Sequence, residues 1–171
     1  MSQGVVVWIT GLPSAGKSTL ALAIAAELRA SGTSACLLDG DEVRKALAVG
    51  LGYGSAERAA FYETLARLAA LLAAQGLVVL VPATAHRRAF RERARELAPA
   101  YVEVCVATPK EECVLRDNKG LYEAQGGGHV SGLPGADAEY EPPLAPDVVA
   151  SGGTDSAAIA RVLQCIRQRC S

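Results

Sequence analysis

The sequence predicts a three-layer α/β/α fold around a five-stranded parallel sheet, on three observations. Short β-branched runs alternate with longer amphipathic segments along the chain, the pattern of strands joined by crossover helices. The run Leu77–Ala83 is apolar without alternation, as expected of a strand covered on both faces. A glycine-rich string, Gly11-Leu12-Pro13-Ser14-Ala15-Gly16-Lys17-Ser18, follows the first apolar run and opens a helical segment. At 171 residues the chain can bury a real core, and one domain spanning 1–171 is expected.

The elements follow in order. Val5–Thr10 reads as a buried strand, and a helix runs from about Lys17 to Ala30. Ala35–Asp39 is a second strand and Asp41–Val49 a short helix. A long helix covers Ser55 to Gln75, where Gly76 supplies the stop. After the strand Leu77–Ala83 comes a basic helix at about His86–Leu97, then a strand at Tyr101–Ala107 and a helix opened by Pro109. A short strand at Asp147–Ala150 and a helix from about Asp155 complete the pattern. The segment 123–146 has no periodicity and is rich in glycine and proline; such long loops between core elements are functional or disordered, and a lid is expected here.

Composition excludes several classes. A formal net charge of -1, with Lys and Arg spread along the chain, argues against a nucleic-acid polymer as partner, which would need a basic face. No apolar run reaches the roughly 18 residues of a membrane span, and no basic region precedes the first one. Five cysteines, Cys36, Cys105, Cys113, Cys165 and Cys170, form no Cys-x-x-Cys pair, which points to reduced thiols and a cytoplasmic protein.

The string at 11–18 matches G-x-x-x-x-G-K-[ST]. Successive backbone N–H groups at a helix start form an anion cradle, and glycine lets backbone approach phosphate closely. Gly11, Ser14, Ala15, Gly16, Lys17, Ser18 and Thr19 are the expected ATP-binding residues. Lys17 would bridge the β- and γ-phosphates, and Ser18 would ligate Mg²⁺. Guanine recognition is not expected, because Asn118-Lys119-Gly120-Leu121 lacks the aspartate of the usual Asn-Lys-x-Asp string.

Strand two ends in Leu38-Asp39-Gly40-Asp41-Glu42-Val43-Arg44. Ligands of open parallel sheets sit beyond the carboxyl ends of strands, so Asp39 and Asp41 should face the phosphates, with Asp39 acting on Mg²⁺ through water. Asp41 and Arg44 lie three apart at a helix start and can share a face. Such a carboxylate could take a hydroxyl proton while the guanidinium holds an anionic group. The plainer reading, Asp41 as a helix N-cap, fits the spacing equally well.

Together these strings resemble the adenylylsulfate kinase (APS kinase) family over nearly the whole chain. The resemblance rests on GLPSAGKSTLA, LDGDEVR, LGY followed by Arg58, LVVLVPA, RDNKGLY and EYEPPLAPD. It implies a P-loop kinase fold with a lid loop, ATP and Mg²⁺ as cofactors, a role in sulfate assimilation and a homodimer. It implies transfer of the γ-phosphate to the ribose 3′-hydroxyl of adenosine 5′-phosphosulfate (APS). By the same resemblance Lys17 and Asp41 are catalytic, Asp41 as base. Arg44, Tyr53, Arg58, Thr84 and Leu133 join Asp41 around a small nucleotide-like acceptor, and Arg116 and Lys119 lie near the ATP phosphates.

The chain departs from the family on the acceptor side. The usual Glu-Asn-Ile-Arg-Arg string reads Ala60-Phe61-Tyr62-Glu63-Thr64, losing an amide and two arginines. The Ser-Pro-Tyr/His-Arg turn reads Thr84-Ala85-His86-Arg87. The Lys-x-Phe-Thr-Gly-Ile-Asp stretch becomes Ser131-Gly132-Leu133-Pro134-Gly135-Ala136-Asp137. These changes leave open another nucleotide-linked acceptor, such as cytidine diphosphoramidate, or an ATP-binding module without catalysis. Arg87, Arg88, Arg91, Arg93 and Arg95 are expected on a solvated helix face. His129 reads as a lid residue, His86 as a helix-start residue and Trp8 as packing.

Overall fold

The computed structural model describes residues 3–47, 52–117, 120, 122 and 139–170. Five strands, β1 (Val5–Thr10), β2 (Ala35–Leu37), β3 (Val78–Pro82), β4 (Tyr101–Val106) and β5 (Val148–Ala150), form one sheet in the order β2-β3-β1-β4-β5. All four pairings are parallel, with Val7 of β1 opposite Leu80 of β3 and Val102 of β4. The helices are α1 (Lys17–Ala30), α2 (Gly40–Ala46), α3 (Ser55–Ala73), α4 (Arg88–Leu97), α5 (Lys110–Leu115) and α6 (Ser156–Arg169).

β1 is the centre of the sheet and shows why its residues are apolar throughout. Val5, Val7 and Ile9 pack toward Leu20, Ile24 and Leu28 of α1 and Val162 and Ile166 of α6. Val6 and Trp8 point the other way, into Phe61, Leu65, Ala69 and Ala73 of α3 and Ala94 of α4. A strand whose two faces are both covered has no use for alternation. Trp8 is fully buried and its indole N–H donates to the Ala83 carbonyl at 3.3 Å, a packing role. The five cysteines are all free thiols.

The element boundaries shift by a few residues from the sequence expectation. The second strand ends at Leu37, so that Asp39 caps α2. Arg88 rather than His86 opens α4, because residues 83–87 form an irregular turn held by long-range bonds. Gly76 follows α3 with φ 87, the left-handed conformation that a stop of this kind requires. No helix among the described residues is long and apolar enough to cross a membrane. Of the segment expected as a lid, only 139–146 falls within the described residues, and His129 and Leu133 lie outside them.

Candidate active site

The loop between β1 and α1 is fixed from three sides. Thr108, buried after β4, donates to the Ala15 carbonyl at 2.7 Å, and the Tyr122 hydroxyl donates to the Pro13 carbonyl at 3.2 Å. On the third side Gly16, with φ 102, lies so close to Gly153 that a Cβ on Gly16 would stand 2.7 Å from the Gly153 nitrogen. Gly16 also occupies the N-cap of α1 and offers no side-chain cap, and no acidic residue stands in the first turn. The N–H groups and positive dipole end are therefore left for an anion. Lys17 donates from Nζ to the Leu12 carbonyl at 2.7 Å, which holds the ammonium over the loop.

Asp39 joins this loop to the acceptor side. Its Oδ2 accepts the Ser18 hydroxyl at 2.5 Å, and its Oδ1 accepts the Asp41 backbone N–H at 2.9 Å. The N-cap of α2 is thus Asp39, not Asp41, so the plainer reading of Asp41 is corrected: its carboxylate is not used up as the helix cap. Ser18 Oγ and Asp39 Oδ2 are hard oxygen donors side by side. They suit Mg²⁺, which keeps several waters and binds through few protein oxygens plus substrate phosphates.

The acceptor wall is built by α2, α3 and the turn after β3. The Arg44 guanidinium lies over the Phe61 ring at 4.1 Å and the Tyr53 ring at 4.8 Å, and its Nη1 donates to the Gly52 carbonyl at 3.3 Å. Tyr53 is exposed, with its ring available on the open side. Tyr62 stacks on Phe90 at 4.9 Å and meets His86 edge-on. Burial raises the pKa of the Tyr62 hydroxyl, with the Arg44 and Arg58 charges opposing, so it remains a neutral phenol. Burial lowers the pKa of His86, and the charges of Arg58 and Arg87 act in the same direction. The Thr84 carbonyl accepts the Thr10 hydroxyl at 2.6 Å.

One expectation about the arginines of α4 changes here. Arg91 does not lie on a solvated face; it is 2% exposed. It donates to Glu103 at 2.9 Å, to the Ala85 carbonyl at 2.5 Å and to the Glu141 carbonyl at 2.6 Å. Glu103 also receives Arg95, and its backbone N–H donates to Asp147, which pairs with Arg169. Glu63 pairs with Arg67 and with Arg93 of α4, and Thr64 donates back to the Ala60 carbonyl. Within the departing string, Phe61 lies under Arg44 and Tyr62 stacks on Phe90. Arg116 pairs with Glu112 at 2.8 Å on the exposed side of α5, and Lys119 lies outside the described residues.

A phosphate loop joined through one aspartate to a short helix carrying Asp41 and Arg44 is a phosphotransferase geometry, and comparison with known proteins decides which. The adenylylsulphate kinase family model matches residues 3–151. The chain belongs to this family. An adenylyl-sulfate kinase of Synechococcus sp. (strain JA-2-3B'a(2-13)) is 39% identical over 98% of this chain and 97% of its own length. That of Yersinia pestis is 41% identical over 88% of this chain and 71% of its own length. Among solved structures, the Mycobacterium tuberculosis APS kinase in complex with AMPPNP and APS superposes with a TM-score of 0.90 at 34% identity, covering 98% of this chain and 99% of that one. The protein is therefore an ATP-dependent kinase with the P-loop kinase fold.

Sequence reasoning did not single out several residues that shape this kinase's site. Thr108 and Gly153 fix the phosphate loop from other strand ends. Tyr122 closes the RDNKGLY string, which carried the resemblance, yet its bond to Pro13 spans 109 positions. Tyr140 reaches Thr10 at 3.1 Å, and the EYEPP string was the one signal for it.

Proposed function

We propose that this kinase transfers the γ-phosphate of ATP to the 3′-hydroxyl of APS, giving 3′-phosphoadenosine 5′-phosphosulfate and ADP. The observation that carries the reading is the double use of Asp39, which sets Ser18 of the phosphate loop and Asp41 of α2 against one carboxylate. Donor and acceptor groups are thereby held side by side, as in-line transfer requires.

The α1 N-terminus and the amides of 11–16 receive the triphosphate, and Lys17 exchanges the Leu12 carbonyl for phosphate oxygens. Ser18, and Asp39 through water, would hold Mg²⁺, which would neutralise charge on the transferring group. Asp41 takes the 3′-hydroxyl proton, Arg44 and Arg58 hold the acceptor's anionic group, and the exposed ring of Tyr53 stacks on its base. Support for APS comes from the relatives' names. Phe61 favours a second reading: an apolar ring replaces an amide beneath Arg44, which would suit a different nucleotide-linked acceptor.

The same reading makes the chain a single domain over 1–171, a homodimer and a cytoplasmic protein, the last supported by its five free thiols. The deciding experiment is a coupled ADP-release assay with APS beside cytidine diphosphoramidate and UDP-linked compounds. Saturable turnover with micromolar APS is the expected result. Turnover with a cytidine compound but not APS would move the assignment to that acceptor. ADP release with none of them, from protein that binds ATP, would leave a nucleotide-binding module.

A further inference from the structure

Ala85 is one of two non-glycine residues with positive φ among the described residues; its φ is 40, and the other, Ser14 at φ 63, sits in the phosphate loop. A left-handed alanine is disfavoured and persists only where its surroundings over-determine it. Here they do. The Thr84 carbonyl accepts the Thr10 hydroxyl at 2.6 Å, and the Ala85 N–H donates to the Tyr62 hydroxyl at 3.1 Å. The Ala85 carbonyl accepts Arg91, and the His86 carbonyl accepts the Glu141 N–H at 2.8 Å. Ala85 itself is fully buried.

Tyr62 alone among these partners belongs to α3. Arg58 lies one turn before it on the same helix face, and Phe61, its neighbour, underlies Arg44.

We propose that Tyr62 is a positioning residue for the acceptor: by accepting the Ala85 amide hydrogen, its hydroxyl holds the left-handed Thr84–Ala85–His86 turn against the acceptor side of the site. The inference deepens the kinase reading and rests on it. Tyr62 touches no reacting atom; it sets the wall that the acceptor meets.

The test is Tyr62→Phe, which removes one oxygen and leaves the ring stacked on Phe90. Stranding a buried N–H predicts a KM for APS raised about 5- to 100-fold, with kcat and the KM for ATP changed less than about twofold. In the double variant Tyr62→Phe/Ala85→Gly, glycine accepts the left-handed φ without a Cβ, so part of the lost acceptor KM returns. Amide exchange followed by NMR supplies a readout that needs no acceptor: Ala85 exchanges faster in Tyr62→Phe while the β1 amides do not. An acceptor KM unchanged in Tyr62→Phe overturns the proposal, as does an Ala85 amide whose exchange is unaffected. Wild-type turnover with cytidine diphosphoramidate but not APS overturns only the substrate assignment, and the KM comparison is then made with that acceptor.

Discussion

Replacing Arg91 with methionine tests the buried ionic network beneath the acceptor wall. Among the described residues Arg91 is the most deeply buried charge, at 2% exposure, and its partner Glu103 is 8% exposed. Methionine keeps the length and loses the charge, stranding the Glu103 carboxylate and two carbonyls, those of Ala85 and Glu141. Breaking one side of a buried pair costs about 3–5 kcal/mol. Arg95 stays on Glu103 from the partly exposed side at 3.2 Å, which favours the lower end of that range. For a domain of this size the lower end corresponds to a fall in Tm of roughly 6–12 °C. The assay is urea and thermal unfolding of the wild type, Arg91→Met, and Arg91→Met/Glu103→Leu. The double variant should recover at least half of the loss, because removing both charges leaves no ion stranded. A single variant destabilised by less than about 1 kcal/mol would refute the reasoning, since it would mean that water reaches the pair.

Three further outcomes follow from the site. Lys17→Ala and Asp41→Ala should both abolish turnover, but only the first should weaken ATP binding by calorimetry, because Lys17 alone of the two lies on the phosphate loop; equal ATP affinity in both variants would contradict these roles. Gly153→Ala should lower ATP affinity by about tenfold or more, since the new Cβ would stand 2.8 Å from the Gly16 carbonyl oxygen and from Thr19 Cβ, and unaltered affinity would show that the loop yields at no cost. Asp155 caps α6; the Ser151 and Ala158 N–H groups, with the Ser151 hydroxyl, hold its carboxyl at about 2, below the ordinary 3.8. Its stabilisation is therefore full above pH 4 and is lost as pH falls toward 2. The gap in urea midpoint between wild type and Asp155→Ala should shrink over that window, and a gap independent of pH would contradict the assignment.

What could be read from sequence and what could not divides by distance along the chain. The strands and the phosphate loop announce themselves locally, through apolar runs and through Gly16-Lys17-Ser18 at a strand–helix junction. The stop at Gly76 is equally local. Within the basic helix Arg91 alternates with acidic neighbours like any solvated arginine, and its reason for burial, Glu103, lies on β4. The partner of Glu63 is equally hidden in the string, because Arg93 lies 30 positions on, in α4. Helix starts read from sequence are uncertain by a residue or two, so the spacing allows Asp41 as a cap, whereas in the fold Asp39 holds it. The expectations for Lys119 and Leu133 fall outside the described residues.

The sharing of Asp39 bears on how the two halves of the cleft communicate. One oxygen faces the hydroxyl of Ser18 while the other grips the start of α2. A cation arriving between Ser18 and Asp39 would compete for the first oxygen and leave the second where it is. Loading of the nucleotide would then leave the short helix beneath Arg44 in register, so that either ligand could enter first without the other's seat having to be rebuilt.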